Sequence, residues 1–294
     1  MTSPEVLERL AFVRYLVGFA AEQSRSPEPF NSVSLLLFHD AAEMYLQVAA
    51  EHLNVFLRDP NFSQYFDALE KRLAPDLLAQ REGMRRLNKA RVSLKHFGTR
   101  PSQLDMDAFR ASSGAFFSDN CPRLFGCTFE SISLSLLIAD EAARDSLRKA
   151  ELADSENHRG DALEHLAVCF AQVLHAYRHD PYARARYPYL RRLAGRDFEG
   201  ISRELQSLVE SLTKAVEQLQ EEVTQLRMGL DPVRLAAFQR VVPEAVVAES
   251  GVCDTWRSDR GGEASAEDYQ FCYNFVVESA LRLQRLRLLP QPGK

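Results

Sequence analysis

The sequence predicts an all-α protein, and three observations lead to that prediction. Apolar residues recur every three or four positions along most of the chain, which gives a helix one buried side. Helix-breaking residues are few, with 13 glycines and 13 prolines among 294 residues. Capping residues such as Asp231 and Ser265 stand just before periodic segments. The chain is about twice the size of a common domain, so more than one hydrophobic core is expected.

Residues 1–125 are expected to form a helical bundle. Its helices are predicted over residues 4–24, 33–56, 62–73, 77–97 and 104–117. The second helix is apolar on most faces, as expected for the centre of a bundle, and Asp40, Glu43 and Gln47 form one narrow polar stripe on it. The turn-rich stretch SDNCPRLFGCT places a domain boundary near residues 119–128.

Three further regions are expected after that boundary. They are a second helical region over 126–196, a coiled-coil helix over 197–229 and a C-terminal helical cap over 230–294 with room for a short β-hairpin. In the second region the periodic segments are 129–149 and 160–177. In the cap, Asp231-Pro232 begins a helix to about residue 242, and Ser265 with Asp268 forms a capping box before the last helix.

The predicted coiled-coil helix carries a regular apolar seam. Its members step alternately by four and three positions: Ile201, Leu205, Leu208, Leu212, Ala215 and Leu219. Leu226 follows one heptad later, and Glu222 interrupts the seam. A helix of this kind needs a partner helix, from this chain or from another protein.

Composition excludes several classes of function. No apolar run reaches the length of a membrane span, and the first residues form an acid-containing amphipathic helix rather than an export signal, so a cytoplasmic protein without membrane contact is expected. Five widely spaced cysteines without a C-x-x-C pair argue against disulfides and against structural zinc. Phosphate-binding, dinucleotide-binding and serine-hydrolase motifs are missing. No cofactor and no metal are expected.

The segment REGMRRLNKARVSLKHFGTR concentrates positive charge. Between Arg81 and Arg100 it holds seven cationic side chains and the single acid Glu82, a local charge of +6 in a chain of net charge −5. Such a cluster attracts phosphate backbones. The candidate nucleic-acid-binding residues are Arg85, Arg86, Lys89, Lys95 and Arg100. The alternative is an ordinary solvated helix surface.

Arg91 and His96 are the candidate catalytic residues of the same segment. Arg91 falls in an apolar stripe, so it is expected to turn inward and to pair with Asp40 or Glu43, either as part of an active site or as a structural salt bridge. His96 lies in the last helical turn, where an imidazole suits general acid–base catalysis. The two side chains project ~140° apart on a straight helix, so a symmetric dimer is needed to pool two histidines and two arginines.

These residues resemble the HEPN superfamily of helical bundle proteins. The resemblance rests on an arginine followed after four to six residues by histidine, late in a helical domain and preceded by a long apolar helix that carries an acid. It covers about residues 5–125 and maps Arg91 and His96 onto the motif and Glu43 or Asp40 onto the helix-two acid. Val92 stands where active members usually carry Asn, Asp or His.

The resemblance implies a metal-independent endoribonuclease of a bacterial toxin or phage-defence system, acting as a homodimer on RNA through 2′-hydroxyl attack. The alternative is a non-catalytic interaction module, or a regulator such as an antitoxin, that binds a protein partner through the seam at 201–226.

Three weaker patterns are more simply explained as structural features. They are a second arginine–histidine spacing at Arg159 and His165, the helical pair His175 and His179, and the arginine- and tyrosine-rich stretch 178–196.

Overall fold

The computed structural model describes residues 2–178, 203–248, 253–256 and 264–288, and in these ranges the all-α prediction is confirmed. The helices are α1 Pro4–Gln23, α2 Val33–His52, α3 Phe62–Leu73, α4 Arg81–Phe97, α5 Gln103–Phe125, α6 Glu141–Ser155, α7 Arg159–Arg178, α8 Arg203–Arg227, α9 Pro232–Val241 and α10 Ala266–Leu288. The strands are β1 Glu244–Val247 and β2 Cys253–Trp256, paired antiparallel as the hairpin expected in the C-terminal region. The chain divides into two compact units, Met1–Leu137 and Ile138–Lys294.

Helix α2 is the centre of the first unit and packs against α1, α3, α4 and α5. Its apolar composition allows this, because a helix surrounded on most sides needs few polar faces. Tyr45 of α2 is fully buried and meets four phenylalanine rings at centroid distances of 5.2 to 6.3 Å. Those rings belong to Phe116, Phe117, Phe125 and Phe129. This edge-to-face cluster fixes α5 and the following turn against α2.

Local sequence signals for helix ends are confirmed. The Asp231 carboxylate accepts from the backbone N–H of Val233 at 2.8 Å, and Ser265 and Asp268 make the expected reciprocal capping box. Gly98 ends α4 with φ of +66°, a conformation that glycine adopts without steric cost.

Several helix boundaries differ from the sequence-based expectation. Helix α2 ends at His52 rather than near residue 56, α4 begins at Arg81 rather than near residue 77, and α6 ends at Ser155 rather than near residue 149. Two larger differences concern the end of α5 and the start of α6. Helix α5 continues beyond residue 117 to Phe125, with Pro122 inside its last turn. The continuation is stabilised by Asn120, a fully buried amide that bonds back to Phe116 and across to Ala79. The periodic segment at 129–149 forms two short 3-10 turns first, and a regular helix begins only where Asp140 caps α6.

The second unit is built on the α6–α7 pair, with α10 and the hairpin packed on α7 and with α9 packed on α10. Phe170, Phe238 and Phe275, from α7, α9 and α10, meet at centroid distances of 4.8 to 5.4 Å. Strand β2 is tied to α7 by the Thr255 hydroxyl, which donates to the Glu164 carboxylate at 2.6 Å. These contacts account for the buried faces of the three helices.

The apolar stripe of helix α8 is exposed to solvent. Five side chains of the expected seam are 53 to 60% exposed: Leu205, Leu208, Leu212, Leu219 and Leu226. Val223, which is not in the expected seam, is 45% exposed. Val223, one residue after Glu222, continues the apolar stripe four residues after Leu219. The interruption expected at Glu222 is therefore a local change in the spacing of the stripe. Ile201 lies outside the described residues.

Candidate functional site

Helix α4 is positioned by packing contacts on the side opposite its exposed cations. Gly83, Met84 and Leu87 form its buried side. A Cβ on Gly83 would lie 3.0 Å from the Cβ of Ser112, so the glycine allows α4 and α5 to approach closely. At its start, both backbone groups of Ala79 are bonded to the side chain of Asn120. The opposite side of α4 is therefore presented to solvent in a fixed orientation.

Arg81 is neutralised by acids of the neighbouring helix. Its guanidinium forms ion pairs with Asp67 and Glu70 of α3 and lies over the Phe66 ring at 5.8 Å from the centroid. These hydrogen bonds and charges raise the pKa of Arg81. Arg81 is thus engaged in holding α3 to α4.

Glu82 compensates a second part of the charge. It accepts two hydrogen bonds of 2.8 Å from Arg85, and these bonds lower the pKa of the Glu82 carboxyl. The positive charge of Arg86 lowers it further, so two arginines share one acid. Arg85 is a predicted phosphate ligand, and its Nε and Nη2 donors bind Glu82, so part of its positive charge is already compensated.

The remaining cations define a surface that we call the α4 cationic surface. Its members are Arg86, Lys89, Arg91, Lys95 and Arg100. Arg91 is half-buried and the other four are exposed. Arg86 interacts electrostatically with the Glu82 carboxylate. Apart from that interaction, no acid of the described residues pairs with these five cations. The negative net charge of the chain does not neutralise this surface locally.

The expected pairing of Arg91 with Asp40 or Glu43 is not found among the described residues and is corrected here. Both acids lie beside His39 of their own helix instead, 3.5 and 3.8 Å from its Nδ1 atom, with side chains 57% and 44% exposed. The physical reason is that exposed carboxylates keep their solvation, so no buried counter-ion is needed. Arg91 is half-buried, and no acid of the described residues pairs with it.

The structure does not bring Arg91 and His96 together within one chain. Helix α4 is uninterrupted between them, so their side chains project ~140° apart. His96 is exposed and shares a side of α4 with Lys89, seven residues earlier. Arg91 shares its side with Lys95, one turn later.

Exposed apolar side chains surround the end of α4. Phe97 is 78% exposed, and its ring lies 6.5 Å from that of His96. Across the connection to α5, Leu104 is 79% exposed, and the Asn31 amide donates to Gln103 at 2.8 Å, which brings the exposed Phe30 to the same end of the bundle. We call Phe30, Phe97 and Leu104 the apolar rim.

His39 is the polar residue that sequence reasoning missed. It is buried where α2, α3 and α4 meet, and it precedes Asp40 and Glu43 as H-D-x-x-E on an otherwise apolar helix. Within the described ranges, these three side chains are the group whose donor atoms could hold a metal ion, all within 4.8 Å of one another. The signal available in the sequence was a histidine beside the acids that had already been singled out.

The weaker sequence patterns find simpler explanations or lie outside the described residues. Arg159 begins α7 and lies 3.7 Å from the Asp154 carboxylate, so that arginine of the second motif match already has an acid neighbour. His175 is half-buried on α7, whereas His179 and nearly all of the stretch 178–196 lie outside the described residues.

Comparison of the chain with protein-family models, with curated proteins and with solved structures finds no match. The HEPN resemblance therefore rests on the residues of this chain and stays a prediction. Among the described helices, none has the length and apolar character required to cross a bilayer.

Proposed function

We propose that this protein is an RNA-binding effector of HEPN-like type, one that cleaves RNA without a metal through attack of a ribose 2′-hydroxyl on the neighbouring phosphate. The observation that carries the proposal is the uncompensated α4 cationic surface. Phosphate backbones bind such a surface with release of counterions. The resemblance places such an effector in a toxin or phage-defence system.

Arg91 and Lys95 offer the best-defined phosphate contact on this surface. They stand one helical turn apart, and like charges at this spacing repel by a few tenths of a kcal/mol. A phosphate between the two side chains removes that repulsion and gains two charge-assisted hydrogen bonds. Arg91 is half-buried, so its side chain has less conformational freedom to lose on RNA binding than a fully exposed side chain has.

His96 supplies the proton transfers in this proposal. Cleavage needs a base that takes the proton of the 2′-hydroxyl and an acid that gives one to the leaving 5′-oxygen. Among the described residues, one chain offers one such histidine at this surface, so two copies are needed. The apolar rim beside His96 provides surface for a second copy to cover, and a symmetric contact there brings both His96 side chains to one groove.

RNA binding is tested with fluorescently labelled single-stranded RNA by anisotropy, from about 50 to about 200 mM salt. The double variant Lys89→Glu with Arg86→Glu should weaken binding more than tenfold and reduce the slope of log K against log salt by about 1.4, from two lost phosphate contacts. Lys71→Glu with Arg72→Glu, at two exposed cations of α3, is the matched control. Equal weakening by the control would contradict the proposed surface.

Cleavage is tested by incubating the purified protein with total RNA in a chelator. Products should end in 2′,3′-cyclic phosphate, and His96→Ala should abolish them, while His158→Ala, at another exposed histidine, should not. Products without cyclic phosphate, or undiminished cleavage by His96→Ala, would exclude this mechanism. RNA binding without any cleavage would reduce the proposal to an RNA-binding protein.

The second candidate is a helical interaction module, and the exposed stripe of α8 favours it. A helix with leucines exposed over its whole length gains stability by burying them against another helix. In this reading the α4 cations are a solvated surface and a protein partner, or a second copy, covers α8.

Sedimentation velocity separates the two candidates. If α8 drives association, Leu212→Glu with Leu219→Glu should abolish the complex while circular dichroism stays unchanged. Lys214→Glu, on the opposite side of α8, is the control. If RNA binding persists in the monomeric variant, the two activities belong to different surfaces.

A further inference from the structure

The His39 ring is held in one orientation by three helices. The side chain is 3% exposed, and its ring lies 4.8 Å from the Phe62 ring of α3. On the other side, its Nε2 atom lies 3.0 Å from the amide oxygen Oδ1 of Asn88 on α4. Because both contacts come from neighbouring helices, the direction of the second ring nitrogen is fixed by the packing of the bundle.

The second ring nitrogen, Nδ1, is buried and has no hydrogen-bond partner. It faces the carboxylates of Asp40 and Glu43, at 3.5 and 3.8 Å. The carboxylates themselves reach solvent, so the cluster has a buried end at His39 and an open end at the acids.

The contact with Asn88 determines what Nδ1 can do. An amide oxygen only accepts, so Nε2 carries the hydrogen and the neutral ring keeps its lone pair on Nδ1. A lone pair directed at two anions is electrostatically unfavourable. A cation between the three groups removes the repulsion and uses all three donors.

We propose that His39, Asp40 and Glu43 form a binding site for a divalent transition-metal cation of the zinc class, with Asn88 as the residue that positions the imidazole. One imidazole nitrogen and two carboxylate oxygens are a donor set that suits Zn²⁺ better than the all-oxygen shell preferred by Mg²⁺. The hydrogen bond from Nε2–H to Asn88 is the outer contact that metal-bound histidines usually make.

The distances fit this assignment. Zinc binds nitrogen and oxygen at about 2.0–2.2 Å, which places tetrahedral ligand atoms about 3.4 Å apart. The separations from Nδ1 to the two carboxylates are close to that value, and the three donor atoms span at most 4.8 Å. The two acids are exposed, so rotation of their side chains closes the remaining gap while His39 stays in place. The open side leaves a fourth position for water.

Cobalt is the probe for this site, because Co²⁺ replaces zinc and its visible absorption reports a protein ligand field. Titration of the full chain with Co²⁺ under reducing conditions should give saturable absorption with one equivalent bound, and Zn²⁺ should displace it. Asp40→Asn with Glu43→Gln should weaken Co²⁺ binding at least tenfold. Both side chains are exposed, so the variant should keep the wild-type circular dichroism spectrum. Glu8→Gln, which removes an exposed acid of α1, should bind as the wild type does.

Two outcomes would overturn the proposal. Co²⁺ absorption that survives in the double variant would assign the metal to the cysteine thiols. No saturable binding would mean that the three side chains do not hold a metal ion. The proposed RNA cleavage is tested in a chelator, so the outcome of that test does not depend on a metal ion at this site.

Discussion

Replacing Asn120 with alanine should destabilise the protein by about 2–4 kcal/mol, because this buried amide joins α5 to the residues that start α4. Its Oδ1 accepts from the Ala79 backbone N–H at 2.9 Å, and its Nδ2 donates to the Ala79 carbonyl at 3.2 Å and to the Phe116 carbonyl at 2.7 Å. Asn120 is fully buried, so water does not replace these bonds without rearrangement.

The magnitude follows from the three bonds. Each contributes about 0.5–1.5 kcal/mol, so the three together contribute about 1.5–4.5 kcal/mol, and the Ala79 groups left without a partner move the loss towards the upper part of that range. Alanine returns about 0.6 kcal/mol through its higher helix propensity. The balance is a loss of about 2–4 kcal/mol.

Urea unfolding followed by circular dichroism measures this loss. Asn274→Ala is the control, because Asn274 accepts a single solvent-accessible bond on α10 and should change stability by less than ~0.5 kcal/mol. A loss below ~1 kcal/mol for Asn120→Ala would refute the reasoning, since it would mean that the Ala79 groups find other partners. The loss of α4 orientation should also weaken RNA binding, if the α4 cationic surface is the binding site.

Three further predictions concern buried groups. Burial raises the pKa of Cys121 and Cys272 to about 12, and it also raises the pKa of Cys169. The folded chain therefore keeps thiol protons that the unfolded chain loses above about pH 8.5. The free energy of unfolding, measured with urea, should fall above that pH by up to ~1.4 kcal/mol per pH unit for each thiol. An unchanged free energy of unfolding up to pH ~10 would contradict this burial. Tyr45→Phe should leave stability unchanged or raise it by up to ~1 kcal/mol. The reason is that the buried hydroxyl has the sulfur of Cys121, a weak acceptor, as its polar neighbour. A melting temperature lower by several degrees would show that the hydroxyl is well bonded. Arg91→Ala should cost less than ~1 kcal/mol in urea unfolding, since no ion pair is lost, whereas a loss above ~2 kcal/mol would restore Arg91 as a buried counter-ion.

Interhelical contacts explain why only part of the candidate site was predictable. The sequence places the cations on one helix, with His96 in its last turn and Gly98 after it, because these are consequences of spacing within one segment. It does not reveal that Arg81 pairs with acids of α3, or that Arg91 has no acid partner in the part of the chain that the structure describes. A pairing between helices depends on how each helix is rotated about its axis, and one residue changes that rotation by about 100°.

His39 is a second example of contacts between helices that the sequence alone does not predict. In the sequence it is one polar residue on an apolar helix, and its neighbours Asp40 and Glu43 suggested an arginine partner instead. Only the packing of α3 and α4 on α2 surrounds its ring and leaves Nδ1 directed at the two acids.

The sequence by itself determined the helical class, most helix ends and the apolar seam of α8, because periodicity, caps and breakers act within a few residues of one another. The tertiary structure decided where α5 ends, which cations stay uncompensated and which histidine meets the acids. Those outcomes depend on contacts between segments far apart in the chain, such as Asn120 with Ala79 and His39 with Asn88, and local periodicity carries no information about them.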